Sequence, residues 1–599
     1  MPPATVDLFA PPRIALDRRP DGSWLMYSRD ELGDYPPSLG HHLRAGARRH
    51  PERTLVAERD GDGWATTGWG RGAELADAVG QALLDAGLGP RRPLMILSGN
   101  SVDHLLLTLG ALLAGVPVLP ISAAYSASPG GRERIRAIAR RATPGMVFAE
   151  DPGAFGDVLA ELEGTVEHHV VGRRATPAAG SARIGLASLM RTAPGPGLAR
   201  AFAATGPDTV AKILFTSGST GSPKGVINTH RMLCSNQAAL GRVWPFLAGE
   251  PPVLVDWLPW SHTFGGNHNV NQVLAFGGSL YVDPGRPAPQ LFGATVRSLS
   301  EIAPTVYYNV PAGWGLLVGR LESDRALAER FFSRLRFMFY AAAALPEDVW
   351  GRLAAVAAEI ADHPVALTAS WGTTETAPGA TTAHFPDSPC GCIGVPLPGT
   401  TLRLVPAADT LEIRLRGPNV TPGYLEDPEA TAAAFDDEGF YRPGDAVRLL
   451  DEADPARGLC FDGRLAEDFK LSTGTWVRVG KLRLALLAAA GVLSDAVICG
   501  HDRDHVAALG WCNRAETDRL GGADRVREHL AAALARHNAG AGSATRIERL
   551  LLLADPPSID AGEITDKGYI NQGAVLRTRA EAVAGVFADP PPPDIITPA

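Results

Sequence analysis

The sequence predicts an α/β protein with a large amino-terminal body of doubly wound α/β subdomains, a β-rich subdomain, and a small carboxyl-terminal α/β lobe. Three observations point there. Short apolar runs alternate with helical periodicity up to about Pro398, strand-like runs crowd between Pro398 and Asp462, and a second helix and strand alternation begins after Gly463. At 599 residues the chain is also too long for one core.

From Ser38 to Leu88 helical periodicity surrounds a short turn-bounded segment. PLMILSG, HLLLTLGALLAGVPVLPI and PGMVFAE then read in turn as strand, helix, strand and strand. Asp208 to Phe215, Val253 to Leu258 and Thr305 to Val310 read as buried strands, each running into a loop of polar or small residues. In doubly wound sheets ligands gather at the carboxyl ends of strands, so those loops are the places to look for chemistry. TLRLVP, LEIRLRG and AVRLLD supply the β-rich subdomain. In the small lobe LRLALLAAAG reads as helix, Asp495 to Cys499 as strand, Asp524 to His537 as helix and Ile547 to Leu553 as strand. The expected boundaries are 1–463 and 464–589, with 590–599, which opens on Pro590 to Pro593, expected to be a disordered tail.

Composition narrows the function classes. Apolar residues make up 45% and charged ones 20%, as in an ordinary globular protein. A net charge of -9 without any basic run argues against nucleic-acid binding, so an anionic ligand has to be caught locally. Six scattered cysteines fit a reduced, cytoplasmic setting, and the pair Cys390 and Cys392 reads as structural, without the second Cys or His pair of a zinc site. The longest apolar stretch, Leu105 to Ile121, is broken by glycines and Pro117, so neither membrane insertion nor an export signal is expected.

The sharpest local signal is ILFTSGSTGSPKGVINTH, residues 213–230. Gly218, Gly221 and Gly225 allow backbone N-H groups to converge on phosphate oxygens, Thr216, Ser217, Ser219 and Thr220 add hydroxyls, and Lys224 adds a point charge. Pro223 before the lysine and Gly225 after it exclude the Walker loop. This segment resembles the signature of the adenylate-forming enzymes, the acyl-CoA synthetase and luciferase superfamily. Further matches follow in that family's order, through WLPWSHTFGGNHN, SWGTTETAP, GFYRPGDAVRL, FDGRLAEDFK and GEITDKGYINQ.

The resemblance implies roles residue by residue. His262 borders the acyl carboxylate; Ala341 to Ala344, with Ala342 and Ala343 central, form a floor for adenine; and Trp371, Gly372, Thr373 and Thr374 contact the nucleotide. Glu375 holds magnesium, Asp445 accepts the ribose hydroxyls, Arg464 contacts the ribose side, and Lys470 lies on the segment that serves thioester formation. Lys567 is the catalytic lysine for adenylate formation. Read from composition alone, the alanine run serves equally as helix packing, and Lys567 as a surface lysine. The resemblance also implies ATP, Mg2+ and coenzyme A, and a small lobe that rotates about a hinge near Leu465 and Ala466. Relatives commonly carry Asp or Lys where Ala466 stands, Thr where Pro443 stands, and glutamine near Trp476, so the pivot and the thioester-forming face depart from the pattern.

Several phrases look like the feruloyl-CoA synthase branch, which implies a hydroxycinnamic acid such as ferulate, coumarate or caffeate. Tyr307, Asn309, Val310 and Gly313, with Tyr308, suit a flat phenylpropenoate, although a tyrosine pair is equally an ordinary core feature. Two rival functions remain at this level, loading of a carrier protein and silent adenylate binding; a homodimer is left open.

Overall fold

The computed structural model describes residues 8–175, 183–217, 223–341, 343–386, 388–512, 514–558, 561–564 and 570–599. The chain divides into two compact units: 1–404 with 414–443 and 449–460, and 405–413 with 444–448 and 461–599. The boundary expected from the sequence lies at 463/464. Two short β-segments, Val405–Ile413 and Gly444–Arg448, also belong to the second unit, although they precede the boundary in sequence.

In the first unit one sheet is ordered Pro223–Thr229, Val210–Ser217, Val118–Ile121, Leu94–Leu97, Met146–Ala149, His168–Val171, Ile184–Gly185. Its pairings are parallel except for the antiparallel pair Val210–Ser217 and Pro223–Thr229. Helix Val102–Ala114 packs inside this body and is buried along its whole length, which is why its apolar residues show no amphipathic stripe. Ser101 caps it by accepting from the His104 N–H, and Gly115 ends it with φ of 66°. A second parallel set, Val306–Asn309, Phe337–Tyr340 and Ala366–Gly372, continues antiparallel into Gly379–Thr382 and Cys392–Pro396. Val253–Asp256 pairs in parallel with Ser279–Val282, so its carboxyl end opens into the loop containing His262. The Cys390 and Cys392 thiols donate to the Leu345 and Arg457 carbonyls at 3.3 and 3.8 Å.

In the second unit the sheet order is Leu493–Cys499, Val506–Cys512, Ile547–Leu552, Ile595–Ile596. Helices Val479–Ala490 and Ala523–Asn538 supply Leu482, Leu486, Leu530 and Leu534 to a core shared with Ile498 and Leu550. The expectation of a disordered tail at 590–599 is corrected here. Ile595 and Ile596 pair antiparallel with Leu551 and Leu550 and are buried, and Arg527 donates to the Pro593 and Asp594 carbonyls at 2.7 and 2.8 Å. Apolar burial and a satisfied edge outweigh the proline-rich composition.

Candidate active site

The strand pair that frames the phosphate loop is in register at Phe215 opposite Gly225, Thr216 opposite Lys224 and Ser217 opposite Pro223. Gly218, Ser219, Thr220 and Gly221 lie outside the described residues, as do Ala342 and Lys567. The ammonium of Lys224 stands 5.2 Å from the centre of the Tyr424 ring, a cation–π contact. The phenol of Tyr424 in turn donates to Glu375 Oε1 at 3.0 Å.

Glu375 sits in a tight turn, Thr374–Thr376, where strand Ala366–Gly372, carrying Trp371 and Gly372, ends. Thr373 opens the turn, its N–H donating to Thr376 Oγ1 at 2.9 Å while its carbonyl accepts from the Thr376 N–H at 3.0 Å. Thr374 and Glu375 are both buried, and the Glu375 carbonyl accepts from the Thr421 N–H at 2.8 Å. Tyr441, also buried, lies close to Glu375 and Tyr424. Burial first, then the charge of Glu375, pushes both phenols well above their ordinary range, so each remains a proton donor at any working pH. Among the described residues no cluster of three His, Cys, Asp or Glu side chains is present. A lone carboxylate such as Glu375 nevertheless fits the donor set of magnesium, which takes one or two carboxylates and fills its shell with other oxygens.

Asn228, on the strand of Lys224, links this turn to the loop containing His262. Its Nδ2 donates to the Thr374 carbonyl at 3.3 Å, and its Oδ1 accepts from Asn267 Nδ2 at 2.6 Å. Residues Thr263–Asn269 form a π-helical turn, a wide coil found frequently at functional sites. His262 precedes it, half-buried, with its carbonyl accepting from the Gly266 N–H at 2.8 Å. Further along the turn His268 is fully buried, its ring centroid 4.9 Å from Tyr308, 5.4 Å from Phe339 and 5.8 Å from Phe264. Burial lowers His268 to about 4, so the imidazole is neutral.

Tyr307, Tyr308, Asn309, Val310 and Gly313, expected on the acyl side, have distinct surroundings. Strand neighbours point to opposite faces, and here Tyr308 and Val310 share the core that receives Phe339, while Tyr307 packs with ring centroids 5.3 Å from both Trp314 and Phe331 in a separate core. Asn309 Oδ1 accepts from Trp257 Nε1 at 3.2 Å and from the Val310 N–H at 2.9 Å. A Cβ on Gly313 would stand 2.0 Å from that same oxygen, so this glycine lets its helix approach Asn309. Tyr307, Asn309 and Gly313 therefore build packing, whereas Tyr308, Phe264 and His268 form an aromatic wall beside the His262 turn.

In the second unit Arg464 Nε lies 3.6 Å from Asp445 Oδ1, with Asp445 buried and Arg464 exposed. Lys470 pairs with Trp476 across a short hairpin, and its ammonium stands 5.1 Å from the indole centre. In the first unit Ala343 is exposed in the loop that follows strand Phe337–Tyr340, and Ala341, Ala343 and Ala344 are not helical.

The strand of Lys224, the Thr374–Thr376 turn and the turn after His262 are thus joined through Asn228. Residues 43–425 match the family model described as AMP-binding enzyme, and residues 469–590 match the AMP-binding enzyme C-terminal domain. The chain belongs to the AMP-binding enzymes, the adenylate-forming superfamily, and to their AMP-forming acid–CoA ligase type in general. It is 27% identical to benzoate–CoA ligase of Thauera aromatica over 83% of this chain and 86% of that one. It is 30% identical over 71% of this chain to a methyl-dioxo-octahydroindenyl propanoyl:CoA ligase of Mycobacterium tuberculosis, covering 80% of that protein. Among solved structures, the A domain of carboxylic acid reductase from Segniliparus rugosus, in complex with AMP and a co-purified carboxylic acid, superposes with a TM-score of 0.73 at 18% identity. That match covers 93% of this chain and 95% of the other. Among the described residues no helix is long and apolar enough to cross a membrane.

Proposed function

We propose that this chain is a cytoplasmic ligase of the feruloyl-CoA synthase kind, which activates a hydroxycinnamic acid with ATP and transfers the acyl group to coenzyme A. The observation that carries the reading is the junction at Asn228. There the strand of Lys224, the Thr374–Glu375 turn and the His262 turn, with its aromatic wall, come within hydrogen-bonding reach of one side chain. A flat aryl acid suits rings packed as Tyr308, Phe264 and Phe339 are, and the similarity to a benzoate–CoA ligase supports an aromatic substrate.

In the first half-reaction a carboxylate oxygen bonds to the α-phosphorus of ATP, the bond to the bridging oxygen breaks, and pyrophosphate leaves. Lys224, with Thr216, Ser217, Ser219, Thr220 and the backbone of Gly218 and Gly221, holds the β- and γ-phosphates. Thr374 donates to the α-phosphate, His262 borders the carboxylate, Asp445 and Arg464 bind the ribose, and Trp371, Gly372, Thr373, Ala342 and Ala343 border the base and α-phosphate. Lys567 supplies positive charge where the pentavalent phosphorus gathers negative charge. Glu375 would hold magnesium, which when bound neutralises phosphate charge. In the second half-reaction the coenzyme A thiolate bonds to the acyl carbon and AMP leaves. We assign the change of catalytic set to a turn of the lobe 464–589 about Leu465 and Ala466, which withdraws Lys567 and brings in the hairpin of Lys470.

The test is a panel of hydroxycinnamic, benzoic and aliphatic acids with ATP, magnesium and coenzyme A, followed for AMP and thioester. Thioester formation fastest with ferulate, coumarate or caffeate is expected. Turnover of aliphatic acids alone overturns the aromatic reading, and AMP without thioester overturns coenzyme A as acceptor.

A further inference from the structure

Lys212 and Asn228 face each other across the strand pair that frames the phosphate loop. Both are buried, at 3% and 0% exposure, and each grips the π-helical turn. Lys212 Nζ donates to the Gly266 carbonyl at 2.6 Å, while Asn228 Oδ1 accepts from Asn267 Nδ2 at 2.6 Å. Opposed positions on two adjacent strands thus hold two consecutive residues of the turn that follows His262. Asn228 reaches a third segment through the Thr374 carbonyl. The held residue has no freedom to adjust by a side chain, since a Cβ on Gly266 would stand 2.2 Å from the Trp260 carbonyl oxygen.

A lysine in an apolar strand is costly to bury, and among the described residues no carboxylate offsets the burial of Lys212. Beside it lies a cavity of about 10 Å³ lined by His104, Thr108, Trp260 and Gly266, far too small for an acyl group or nucleotide. Direct contact with a substrate therefore does not account for Lys212. Its geometry does, because a long side chain from the phosphate strand is what spans the distance to the Gly266 carbonyl.

We infer that Lys212 and Asn228 are a pair of positioning residues, a clamp that fixes the acyl-side turn against the phosphate strands and so sets the productive placement of the carboxylic acid. The inference rests on the adenylation reading. It locates the coupling between acid and ATP in two side chains that touch neither.

The experiment is acid-dependent pyrophosphate exchange by wild type, K212M, K212Q, N228A and K212M/N228A, with unfolding midpoints measured for each. The expected outcome is a rise of about tenfold or more in KM for the acid in K212M and N228A, with KM for ATP within about twofold, because small misplacements of a reactant are costly. K212Q, which keeps an N–H donor, recovers part of the loss. The double variant falls short of the product of the single effects, because both contacts hold one turn. A folded K212M with wild-type KM for the acid overturns the clamp while leaving adenylation intact. Parallel rises in both KM values, or failure of every variant to fold, overturn it by showing a general structural role. Wild type inert with every acid defeats the adenylation reading, and the clamp with it.

Discussion

Replacing Tyr424 with phenylalanine separates two functions that the structure gives to one side chain. The ring beneath Lys224 stays, so the cation–π contact at 5.2 Å is kept, while the hydroxyl that donates to Glu375 Oε1 at 3.0 Å is lost. A hydrogen bond to a charged group contributes about 1.5–3 kcal/mol net, which at 1.36 kcal/mol per decade is roughly a 10- to 150-fold effect. Outer partners of metal ligands cost about 10- to 100-fold when removed, a range that agrees. The assay is pyrophosphate exchange across a magnesium titration. We expect Y424F to need about tenfold more magnesium for half-maximal rate and to keep its affinity for ATP in the absence of metal. Because burial keeps the Tyr424 phenol protonated, the ratio of wild-type to variant rate should be flat from pH 6 to pH 9. An unchanged magnesium dependence would refute the argument that Tyr424 orients a metal-binding carboxylate.

K567A should lose about 100-fold or more in acyl-adenylate formation while retaining thioester formation from supplied acyl adenylate. Equal loss in both half-reactions would remove Lys567 from its assigned role. G266A, which drives a methyl into the Trp260 carbonyl, should be less stable by about 1–3 kcal/mol in urea unfolding and should raise KM for the acid more than KM for ATP; a wild-type midpoint counts against the tight turn. His42, His104 and His268 are held near 4 by burial, so between pH 6.5 and 4 the unfolded chain binds protons that the native chain does not. Stability should fall steeply on acidification through that window, and a flat urea midpoint from pH 7 to pH 4.5 would contradict it. On the alkaline side burial lowers Lys212 to about 7, and the facing groups His104 and His230 are neutral there, so wild type should gain stability relative to K212M from pH 7 towards pH 10.

Legibility followed the range of the interactions involved. Val210–Ser217, Val102–Ala114 and the strands of the small lobe were readable because apolar runs and their punctuation are local. The parity of Tyr307 was not, since a two-residue period says that Tyr307 and Tyr308 face opposite ways but leaves open which side receives Trp314 and Phe331. Tyr424 and Tyr441 went unremarked because isolated loop tyrosines carry no spacing signal, and only folding brings them to Glu375. The tail misled through its prolines, although the paired isoleucines beyond them were a usable strand signal.

Lys212 shows most clearly what a one-dimensional reading omits. In VAKILFTS it is a single charge in an apolar strand, where edge placement or solvent exposure is the ordinary expectation. Instead its strand runs between Val118–Ile121 and Pro223–Thr229, and both of its edges are paired. A lysine so placed has to find an acceptor within its own reach, and the Gly266 carbonyl provides it. The same demand for satisfaction draws Asn228 to Asn267 and Thr374. Buried polar groups that must be paired thus supply the coupling that apolar packing lacks, because hydrogen bonds fix register where hydrophobic contact tolerates sliding. The three segments assigned to acid, phosphate and metal are held together by such bonds, and the positions of His262, Lys224 and Glu375 depend on side chains that carry out no chemistry themselves.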